Sequence, residues 1–471
     1  MHRRTNTAIA LYFAFPVSTF LPSDGIGEKD VRKSKQSSVN AFDASRGYKA
    51  TSSKRAVCTM ASSNNSLNSL NVSIVGAGIG GLTAAIALRR AGHTVQVFEL
   101  SENKTEIGAA LSVQTNARRV LDHLGVSPTN LKSVPFDGNM IFHGEGGDGT
   151  IARWMTASAK EVPNVFCHRS DLHDELKRLA VGEGEGPPVR LHPGCKVSAC
   201  NPEEGTITQG NGEVICGDLV VGADGINSVV RTAILGFDEK APPSGYSCFR
   251  TVLEASSLHE KPELDWLTAE ISGARVIVPA IGPFRMMYIY LCRNATLVNF
   301  VGFYTDTPGA VWNSNASRED IIEKFKDYHP RFLRLLDLPP HSPIHRWQLR
   351  VLPSLHTWVR GQAVLLGDAA HATLPHLGQG AGMAIEDAGA LGCLLPLGTT
   401  REDIPARLQA YQELRKQRGE FVQAESNQRA QASGAPKGLS KELQIRLHEY
   451  DAIKVAQKLY QDRFGPHSIS L

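Results

Sequence analysis

The stretch VSIVGAGIGGLTAAIALRRAGHTVQVFE places three glycines between a strand-like run and a run rich in small helix-forming residues, and it limits the fold more than any other feature. Gly76 permits a tight turn, Gly78 has no side chain to block a pyrophosphate, and Gly81 lets the helix pack closely on the strand. The free N–H groups and the dipole at the start of a helix attract phosphate. The pattern therefore predicts a dinucleotide-binding turn in a parallel α/β sheet.

A carboxylate follows this turn at the distance that a dinucleotide site needs. Glu99 ends the second predicted strand, eighteen residues beyond Gly81, where it can accept hydrogen bonds from a ribose diol. The string GEGGDG (144–149) also matches the glycine pattern, but it does not lead into a helix, and its two acids would repel phosphate. We interpret this second match as a hairpin loop.

Two further predicted turns carry carboxylates. In DLVVGADGINSVVR (218–231) a strand runs into Asp224-Gly225 and then a helix; the alternative is an ordinary β-turn capped by aspartate. In LLGDAAHATLPHLGQGAG (365–382) a strand ends at Gly367-Asp368, and a second glycine turn opens a helix. His371 and His376 are five residues apart with a proline between them, so they do not share one helix face, and we expect no metal site here.

The rest of the chain predicts a second, β-rich domain. Strand-like runs dominate residues 244–304, a capping box at Ser317 predicts a helix to about Tyr328, and the pattern after Gly380 is helical nearly to the end. We predict an α/β protein with a Rossmann-like domain (71–240 and 345–400) interleaved with a β-rich domain (241–344) and followed by C-terminal helices (401–471).

Composition narrows the class of protein. Hydrophobic residues make up 42% of the 471 residues, which is typical of a globular chain, and a net charge of +3 without a basic patch argues against nucleic-acid binding. None of the eight cysteines forms a CxxC pair, which argues against a zinc or dithiol motif. We expect unpaired, buried thiols in a reducing compartment.

The first 70 residues differ from the rest. Arginines precede an apolar run at residues 8–21, and residues 26–70, rich in Ser, Asn and Lys, are expected to be disordered. A signal peptide, a transit peptide, a weak membrane anchor and a gene-model extension ahead of Met60 all remain open. Because the apolar run contains Pro16 and is short for a membrane span, we expect a cytoplasmic protein; the oligomeric state is left open.

Together the three motifs resemble those of the single-component flavin-dependent aromatic hydroxylases, the group-A flavoprotein monooxygenases with the p-hydroxybenzoate hydroxylase fold. The closest resemblance is to the salicylate-hydroxylase-like branch, and it runs from about residue 71 to 460. It is carried by NARRVLDHLG (116–125), HRSDLHDEL (168–176), GDAAHATLPHLGQGAGMAIEDA (367–388) and EYDAIKVA (449–456). The resemblance implies a discontinuous FAD-binding domain of the GR2 type and a β-sheet substrate domain above the flavin.

The resemblance also implies roles for individual residues toward FAD. Glu99 would bind the adenosine ribose, and Asp368 would bind the ribitol hydroxyls. Asp224-Gly225 would contact the FAD pyrophosphate and NAD(P)H. The helix N-terminus after the second glycine turn would face the flavin N1/O2 edge and stabilise negative charge there. The residues expected to bind FAD are Gly76, Gly78, Gly81, Glu99, Ala110, Arg119, Arg169, Asp224, Asp368, Pro375, Gly378, Gly380 and Ala381.

Some positions are less firmly placed by the resemblance. His371 is expected to be a packed or hydrogen-bonding support, and His376 is placed near the flavin edge. Thr115 stands where the family usually has proline, and LPHLGQG (374–380) replaces the branch's usual LPHQGAG, so the active-site wall could differ in shape.

The substrate residues follow from two phrases of the β-rich domain. YSCFR (246–250) points to Arg250, and RMMYIYLCRNATLVNFV (285–301) points to Tyr290, although Leu291 stands where the family usually has proline. Such an Arg/Tyr pair would bind a phenolate or carbonyl. The alternative is that Arg250 is a surface strand residue and Tyr290 a core residue.

The resemblance implies a monooxygenase that uses NADPH or NADH and O2. It would transfer one oxygen, through a flavin C4a-hydroperoxide, to an electron-rich aromatic or alkene small molecule, and the expected setting is secondary metabolism. The competing function is a flavin-dependent oxidase or reductase on the same fold without oxygen insertion. An FAD-fold carrier without chemistry is disfavoured by the intact motifs.

Overall fold

A computed structural model describes residues 68–102, 109–146, 152–155, 162–280, 282–306, 309, 312–431 and 438–465, the side chains of 152–155 and 431 excepted. Most of the predicted N-terminal extension, residues 1–67, lies outside these ranges, as do residues 147–149 of the second glycine match.

The strands of the described residues are β1 (Asn71–Val75), β2 (Thr94–Phe98), β3 (Ala110–Val113), β4 (Val134–Pro135), β5 (Gly138–His143), β6 (Ala152–Met155), β7 (Val165–His168), β8 (Arg190–His192), β9 (Val197–Asn201), β10 (Thr206–Gln209), β11 (Val214–Cys216), β12 (Leu219–Gly222), β13 (Pro243–Glu254), β14 (Gly273–Val278), β15 (Arg285–Cys292), β16 (Leu297–Thr305), β17 (Asn313–Asn315), β18 (His345–Arg350), β19 (Val359–Arg360) and β20 (Ala363–Leu365).

The helices are α1 (Ile79–Arg90), α2 (Thr115–His123), α3 (Arg169–Val181), α4 (Val229–Leu235), α5 (Arg318–Lys324), α6 (Pro330–Leu333), α7 (Asp368–His371), α8 (Gly380–Leu394), α9 (Ile404–Gln431), α10 (Lys441–His448) and α11 (Ala452–Phe464). Short 3-10 helices span Gly225–Asn227, Leu258–Glu260, Pro262–Leu267, Arg334–Asp337 and Pro375–Leu377.

The dinucleotide-type sheet has the strand order β19-β20-β12-β1-β2-β8, parallel except at the β19 edge. Its central strands β12 and β20 are buried along their whole length because helices cover the sheet. Helix α1 also packs closely on α8: a Cβ on Gly80 would lie 3.1 Å from Cβ of Ala384. The predicted strand–turn–helix–strand unit is therefore present.

The second sheet has the order β17-β18-β13-β16-β15-β14-β5-β6. The four strand-like runs predicted from the sequence form its centre, β13 to β16. However, β5 and β6 precede residue 241, and β18 follows residue 344. The chain therefore passes between the two sheets more often than the predicted boundaries at 241 and 344 imply. β5 and β6 pair antiparallel, as the hairpin interpretation of residues 144–149 requires.

Several local expectations can be compared with the described residues. The capping box at Ser317 is formed, but its helix ends at Lys324 rather than near Tyr328. Six described cysteines are free, whereas Cys216 is disulfide-bonded, which departs from the expectation of unpaired thiols. Within the described ranges, no helix combines the length and apolar character needed to cross a membrane.

Candidate functional site

Four connections meet at one edge of the dinucleotide-type sheet. The first glycine turn follows β1, Glu99 follows β2, Asp224-Gly225 follows β12, and Gly367-Asp368 follows β20. These strands are neighbours, and their last residues are in register. Ligands of open α/β sheets bind in the crevice outside this carboxyl edge. The fold thus brings together motifs that are far apart in the chain.

Each glycine of the first turn has a different environment. A Cβ on Gly76, which has φ +101°, would lie 2.4 Å from the carbonyl oxygen of Ala223. A Cβ on Gly81 would lie 2.0 Å from the carbonyl oxygen of Gly76, whereas a Cβ on Gly78 would meet no atom within 4 Å. The first and third glycines therefore permit close packing, and the second leaves open space at the N-terminus of α1, which suits a phosphate.

Glu99 lies against this turn. Its Oε2 accepts a hydrogen bond from the N–H of Ala77 at 2.7 Å, and its Oε1 accepts one from the N–H of Ser101 at 3.1 Å. The carboxylate is therefore held at the edge of the glycine turn, where the predicted ribose contact would require it.

The Asp224 carboxylate is engaged within its own turn. Its Oδ1 accepts a hydrogen bond from the Ser228 hydroxyl at 2.5 Å, and its Oδ2 accepts from the N–H groups of Val229 and Val230 at 2.7 and 3.2 Å. Burial raises the pKa of Asp224, and these hydrogen bonds oppose the rise because they favour the charged form. The side chain thus caps α4, as in the alternative interpretation, and shapes the turn whose Ala223 carbonyl adjoins Gly76.

Arg231 joins the second motif to the third. Its side chain is 1% exposed and donates to the carbonyl oxygens of Ile226, Glu239 and Ala369 at 2.6, 3.1 and 3.2 Å. Burial lowers its pKa. Arg231 thus ties the Asp224 turn to the helix that begins at Asp368.

Asp368 is the exposed member of a buried segment. Residues 363–372 are otherwise buried, and across the described ranges no group donates a hydrogen bond to this carboxylate. An exposed, unpaired carboxylate at the carboxyl edge fits the predicted contact with ribitol hydroxyls.

The second glycine turn opens α8. Gly378 has φ +63°, and a Cβ there would lie 2.6 Å from Oγ of Ser112, whereas a Cβ on Gly380 would meet no atom within 4 Å. The turn begins with Pro375, and α8 runs 15 residues from Gly380, followed by Ala381. Since the first N–H groups of a helix have no acceptor within the helix, this end offers donors to free space.

The remaining residues predicted to bind FAD are Ala110, Arg119 and Arg169. Nη1 of Arg119 donates to the carbonyl oxygen of His448 at 3.0 Å, which ties α2 to the end of α10. The N–H of Arg169 donates to the carbonyl oxygen of Ala109 at 3.0 Å, beside Ala110. None of these described contacts involves a glycine turn, and the FAD contacts of Ala110, Arg119 and Arg169 stay predictions.

The two histidines of the third motif lie in different surroundings. His371 is 1% exposed; its Nε2 is 2.6 Å from a carboxylate oxygen of Asp387, so it is a buried support as expected. The ring of His376 packs among Phe284, Phe303 and Tyr246, at centroid distances of 5.6, 5.9 and 6.4 Å.

His376 is uncharged at neutral pH in this environment. Burial, with a smaller contribution from Arg429, lowers its pKa to about 4. Its Nε2 is buried without a hydrogen-bond partner among the described residues. Phe303 belongs to β16, so the ring of His376 packs against the second sheet.

The same sheet face carries Arg250. Arg250 of β13 is in register with Val301 of β16, which is in register with Tyr288 of β15. Phe249, next to Arg250, belongs to the apolar cluster on the opposite face. Nε of Arg250 is buried without a partner, and no described residue forms an ion pair with its guanidinium.

The two tyrosines of β15 differ. Tyr290 is 6% exposed and stacks on Phe166 with ring centroids 3.9 Å apart, and burial raises its pKa well above the usual value. Tyr288 lies in the row of Arg250, and its hydroxyl donates to Oδ1 of Asn139 at 3.2 Å. The packing of Tyr290 agrees with the alternative interpretation, a core residue, yet Tyr290 lies within electrostatic range of Arg250, which opposes the rise of its pKa. Tyr288 is separated from Arg250 by Val301.

A buried ionic network, which was not predicted from the sequence, lies next to the second glycine turn. Glu386 and Asp387 of α8 are 0% exposed and bind Arg415 of α9 at 2.7 and 2.8 Å; Arg418 lies 3.1 Å from Glu386. A signal was present in the sequence: adjacent acids interrupt the apolar run GMAIEDAGALG, and two arginines stand one helical turn apart in ELRKQR.

An open groove of about 400 Å³ lies on the opposite face of the second sheet, between Phe249, Tyr304 and α5. Two of its arginines already have acidic partners: Arg285 binds Asp327 at 2.5 Å, and Arg346 lies 3.6 Å from Asp320. We assign it no role, because it shares no residue with the turns or with Arg250.

Comparison with known proteins agrees with this geometry. The FAD binding domain family matches residues 69–426. Hispidin-3-hydroxylase of Neonothopanus nambi is 44% identical over 414 residues, which cover 84% of this chain and 97% of that protein. 3-Hydroxybenzoate 6-hydroxylase of Polaromonas naphthalenivorans is 30% identical over 353 residues, covering 74% of this chain and 84% of that protein. A salicylate hydroxylase–substrate complex superposes with a TM-score of 0.68 at 25% identity, covering 83% of this chain and 98% of that chain.

Proposed function

The chain belongs to the FAD-binding-domain family of flavin-dependent aromatic hydroxylases, and from this premise we propose that it uses NADPH or NADH and O2 to hydroxylate an acidic phenol. FAD dependence and monooxygenase activity follow from the family; the reductant and the acidic character of the substrate are the parts proposed.

The described residues fit FAD. The open space at Gly78 and Gly380 leaves room for a pyrophosphate and a ring beside helix N-termini, and the unpaired carboxylate of Asp368 can accept hydrogen bonds from hydroxyl groups. Glu99 would hold the ribose. When bound and reduced, FAD supplies the activation of O2 that side chains cannot provide.

The observation that carries the choice of substrate is the pair of unpaired polar groups on one sheet face. The guanidinium of Arg250 has no described partner, and it would hold a carboxylate or phenolate. The neutral imidazole of His376, with its unpartnered Nε2, can form a hydrogen bond with a phenol hydroxyl. The aromatic surroundings of His376 would exclude water and pack against a ring.

Names of relatives support the same substrate class. The relatives described above are named for hispidin, 3-hydroxybenzoate and salicylate, and the last two names denote hydroxybenzoates. Because the hispidin hydroxylase has the highest identity of the three, hispidin is the first compound to test.

The test is a substrate panel on the purified, FAD-loaded protein. Oxidation of NADPH and NADH is followed with hispidin, 3-hydroxybenzoate, salicylate and a non-acidic aromatic, and product mass is measured under ¹⁸O-labelled O2. We expect an acidic phenol to stimulate oxidation and to gain one labelled oxygen atom. Stimulated oxidation that yields only peroxide with every compound would instead favour the oxidase or reductase alternative.

A further inference from the structure

Four buried polar side chains form a continuous hydrogen-bonded chain between α8, α2 and the second glycine turn. We call it the amide chain; it consists of Gln114, Asn116, Gln379 and Glu386. Their exposed fractions are 7%, 0%, 2% and 0%. Gln379 is the N-cap residue of α8, so the chain ends where the flavin ring is expected to bind.

The carboxylate of Glu386 fixes the direction of this chain. An ionised carboxylate can only accept hydrogen bonds, so Asn116 must turn its Nδ2 toward Glu386, at 2.5 Å. The same Nδ2 donates to Oε1 of Gln379 at 2.9 Å. Oδ1 of Asn116 is left buried without a described partner, which shows that the orientation is imposed by the acid rather than by the amide.

The imposed direction continues to the backbone. Since Oε1 of Gln379 is used as an acceptor, its Nε2 donates to Oε1 of Gln114. Nε2 of Gln114 then donates to the carbonyl oxygen of Leu377 at 3.0 Å. Arg415 and Arg418 balance the charge at the far end, so that Glu386 stays ionised; Coulombic attraction to both guanidinium groups, together with hydrogen bonds, outweighs burial and lowers its pKa.

The orientation of the carbonyl groups decides where the N–H groups of the turn point. The carbonyl oxygen of Leu377 is held by Gln114, and that of Gly378 lies 3.5 Å from the hydroxyl of Ser112. In a trans peptide the C=O and the following N–H point in opposite directions. The N–H of Gln379 therefore points away from Ser112, and no described group accepts a hydrogen bond from it. The N–H of Gly378, which follows the Leu377 carbonyl, instead donates to the carbonyl oxygen of Pro375 at 3.0 Å and is closed within the turn.

We propose that the amide chain is a positioning device: it fixes Gln379, the N-cap residue of α8, so that the free N–H groups at the start of this helix point at the flavin, with Gln379 and Gln114 as its essential links. The inference rests on FAD binding in the proposed function. Gln379 was expected from its sequence position to alter the active-site wall; in the structure its side chain faces Gln114 and Asn116 instead.

Methionine substitutions test the proposal, because methionine keeps the length of glutamine but forms no such hydrogen bonds. The variants are Gln379→Met, Gln114→Met and the double variant. Gln444→Met is the matched control. Gln444 of α10 is 6% exposed, and its side chain donates to the carbonyl oxygen of Leu439 at 2.9 Å. The melting temperature of the FAD-free protein, the Kd for FAD and the midpoint potential of bound FAD are measured for each.

Both single variants should weaken FAD binding by about tenfold or more and make the midpoint potential more negative. The double variant should bind FAD no more weakly than the single variant with the larger loss, because the two residues act in one chain. Gln444→Met should change only the melting temperature. Additive effects of the two variants, or effects no larger than those of Gln444→Met, would overturn the positioning role.

The same experiment separates this inference from the proposed function. Wild-type protein that binds FAD but never inserts oxygen would refute the proposed activity, while the FAD affinities would still decide the role of the amide chain. Wild-type protein that takes up no FAD would refute both.

Discussion

At the scale of single residues, the decisive feature is which polar groups lack a partner. Arg250 and His376 both present nitrogen atoms without described partners on one face of the second sheet, whereas Asp224 has both carboxylate oxygens occupied. Burying an unpaired polar group is unfavourable, so a buried side chain with no hydrogen-bond or ion-pair partner is a candidate for contact with a ligand. Arg346, whose Nε is also unpartnered, differs because its guanidinium lies 3.6 Å from Asp320. This distinction separates ligand-binding candidates from residues that shape the backbone.

Arg250→Gln should raise KM for the acidic substrate and lower kcat/KM by about tenfold or more, because a charge-assisted contact is lost. Bound FAD should remain. Arg346→Gln is the matched control: Arg346 lies on the neighbouring strand and stacks over Phe249 at 5.4 Å, on the opposite face. Steady-state kinetics and the flavin absorbance of each variant provide the measurement, and loss of flavin in Arg250→Gln would contradict the placement.

The two tyrosines of β15 should respond differently. Tyr290→Phe should keep activity and stability because the ring stacked on Phe166 is retained, whereas Tyr290→Ala should lower the free energy of unfolding by about 3 kcal/mol. Tyr288→Phe should impair turnover, because it removes the hydroxyl that contacts Asn139 in the row of Arg250. Urea unfolding and turnover are measured in parallel; a large loss of activity in Tyr290→Phe would support the catalytic role predicted from sequence.

At the scale of elements, two glycine turns do different work with the same residue type. In each turn, one glycine is required by close packing and another faces open space. The packed glycines are Gly81 and Gly378, and the open ones are Gly78 and Gly380. Packing glycines protect the fold, and open glycines leave room for a ligand. The N-termini of α1 and α8 thereby face free space.

Alanine substitutions separate the two kinds of glycine. Gly81→Ala should lower the free energy of unfolding by about 2 kcal/mol or more, since the new Cβ would lie 2.0 Å from the carbonyl oxygen of Gly76. Gly78→Ala should leave the FAD-free protein almost unchanged in stability but weaken FAD binding by about tenfold or more. Thermal unfolding without FAD and titration with FAD distinguish them; equal destabilisation by both would refute the distinction.

At the scale of the whole molecule, buried polar groups connect segments that are distant in the chain. The N–H of Ala110 donates to Asn299 at 2.9 Å, which joins a small sheet of the first half to the second sheet. Arg415 of α9 holds both acids of α8. Helix α9 therefore packs on α8, the helix that follows the second glycine turn, rather than forming a separate layer.

Acid should unfold the protein partly through Asp387. Contact with His371 and Arg415 lowers the pKa of Asp387 to about 2, against burial, while its value in the unfolded chain is about 3.9. Because the folded pKa is the lower one, the carboxylate stabilises the fold above about pH 4, and this contribution, about 3 kcal/mol, is lost as the pH falls toward 2.

Urea unfolding of wild type and Asp387→Asn between pH 7 and pH 3 tests this. The variant should be less stable by about 3 kcal/mol at pH 7, because it leaves buried charges unpaired, and the difference should shrink below pH 4. Asp462→Asn, an exposed acid paired with Lys458 at 3.2 Å, serves as control. A difference that stays constant with pH would show that Asp387 does not titrate in this window.

The sequence was sufficient for the fold class, the family and the positions of the turns. The glycine spacing, the strand that precedes each turn and the acid at the end of β2 are local features, and each depends only on residues within about thirty positions. The sheet order then places these turns at one edge, because parallel strands end at the same side. This is why the candidate FAD site was recognisable without coordinates.

The tertiary structure decided what the individual side chains contact. Packing decides the partners of the Asp224 carboxylate, the burial of Tyr290 and the direction of the Gln379 side chain. Gln379 and its partner Gln114 are 265 residues apart in the chain. Side-chain direction in a sheet depends on register, and the partners of buried amides depend on a single acid, Glu386. Local pattern determined where a ligand can bind, and long-range pairing determined which groups remain free to bind it.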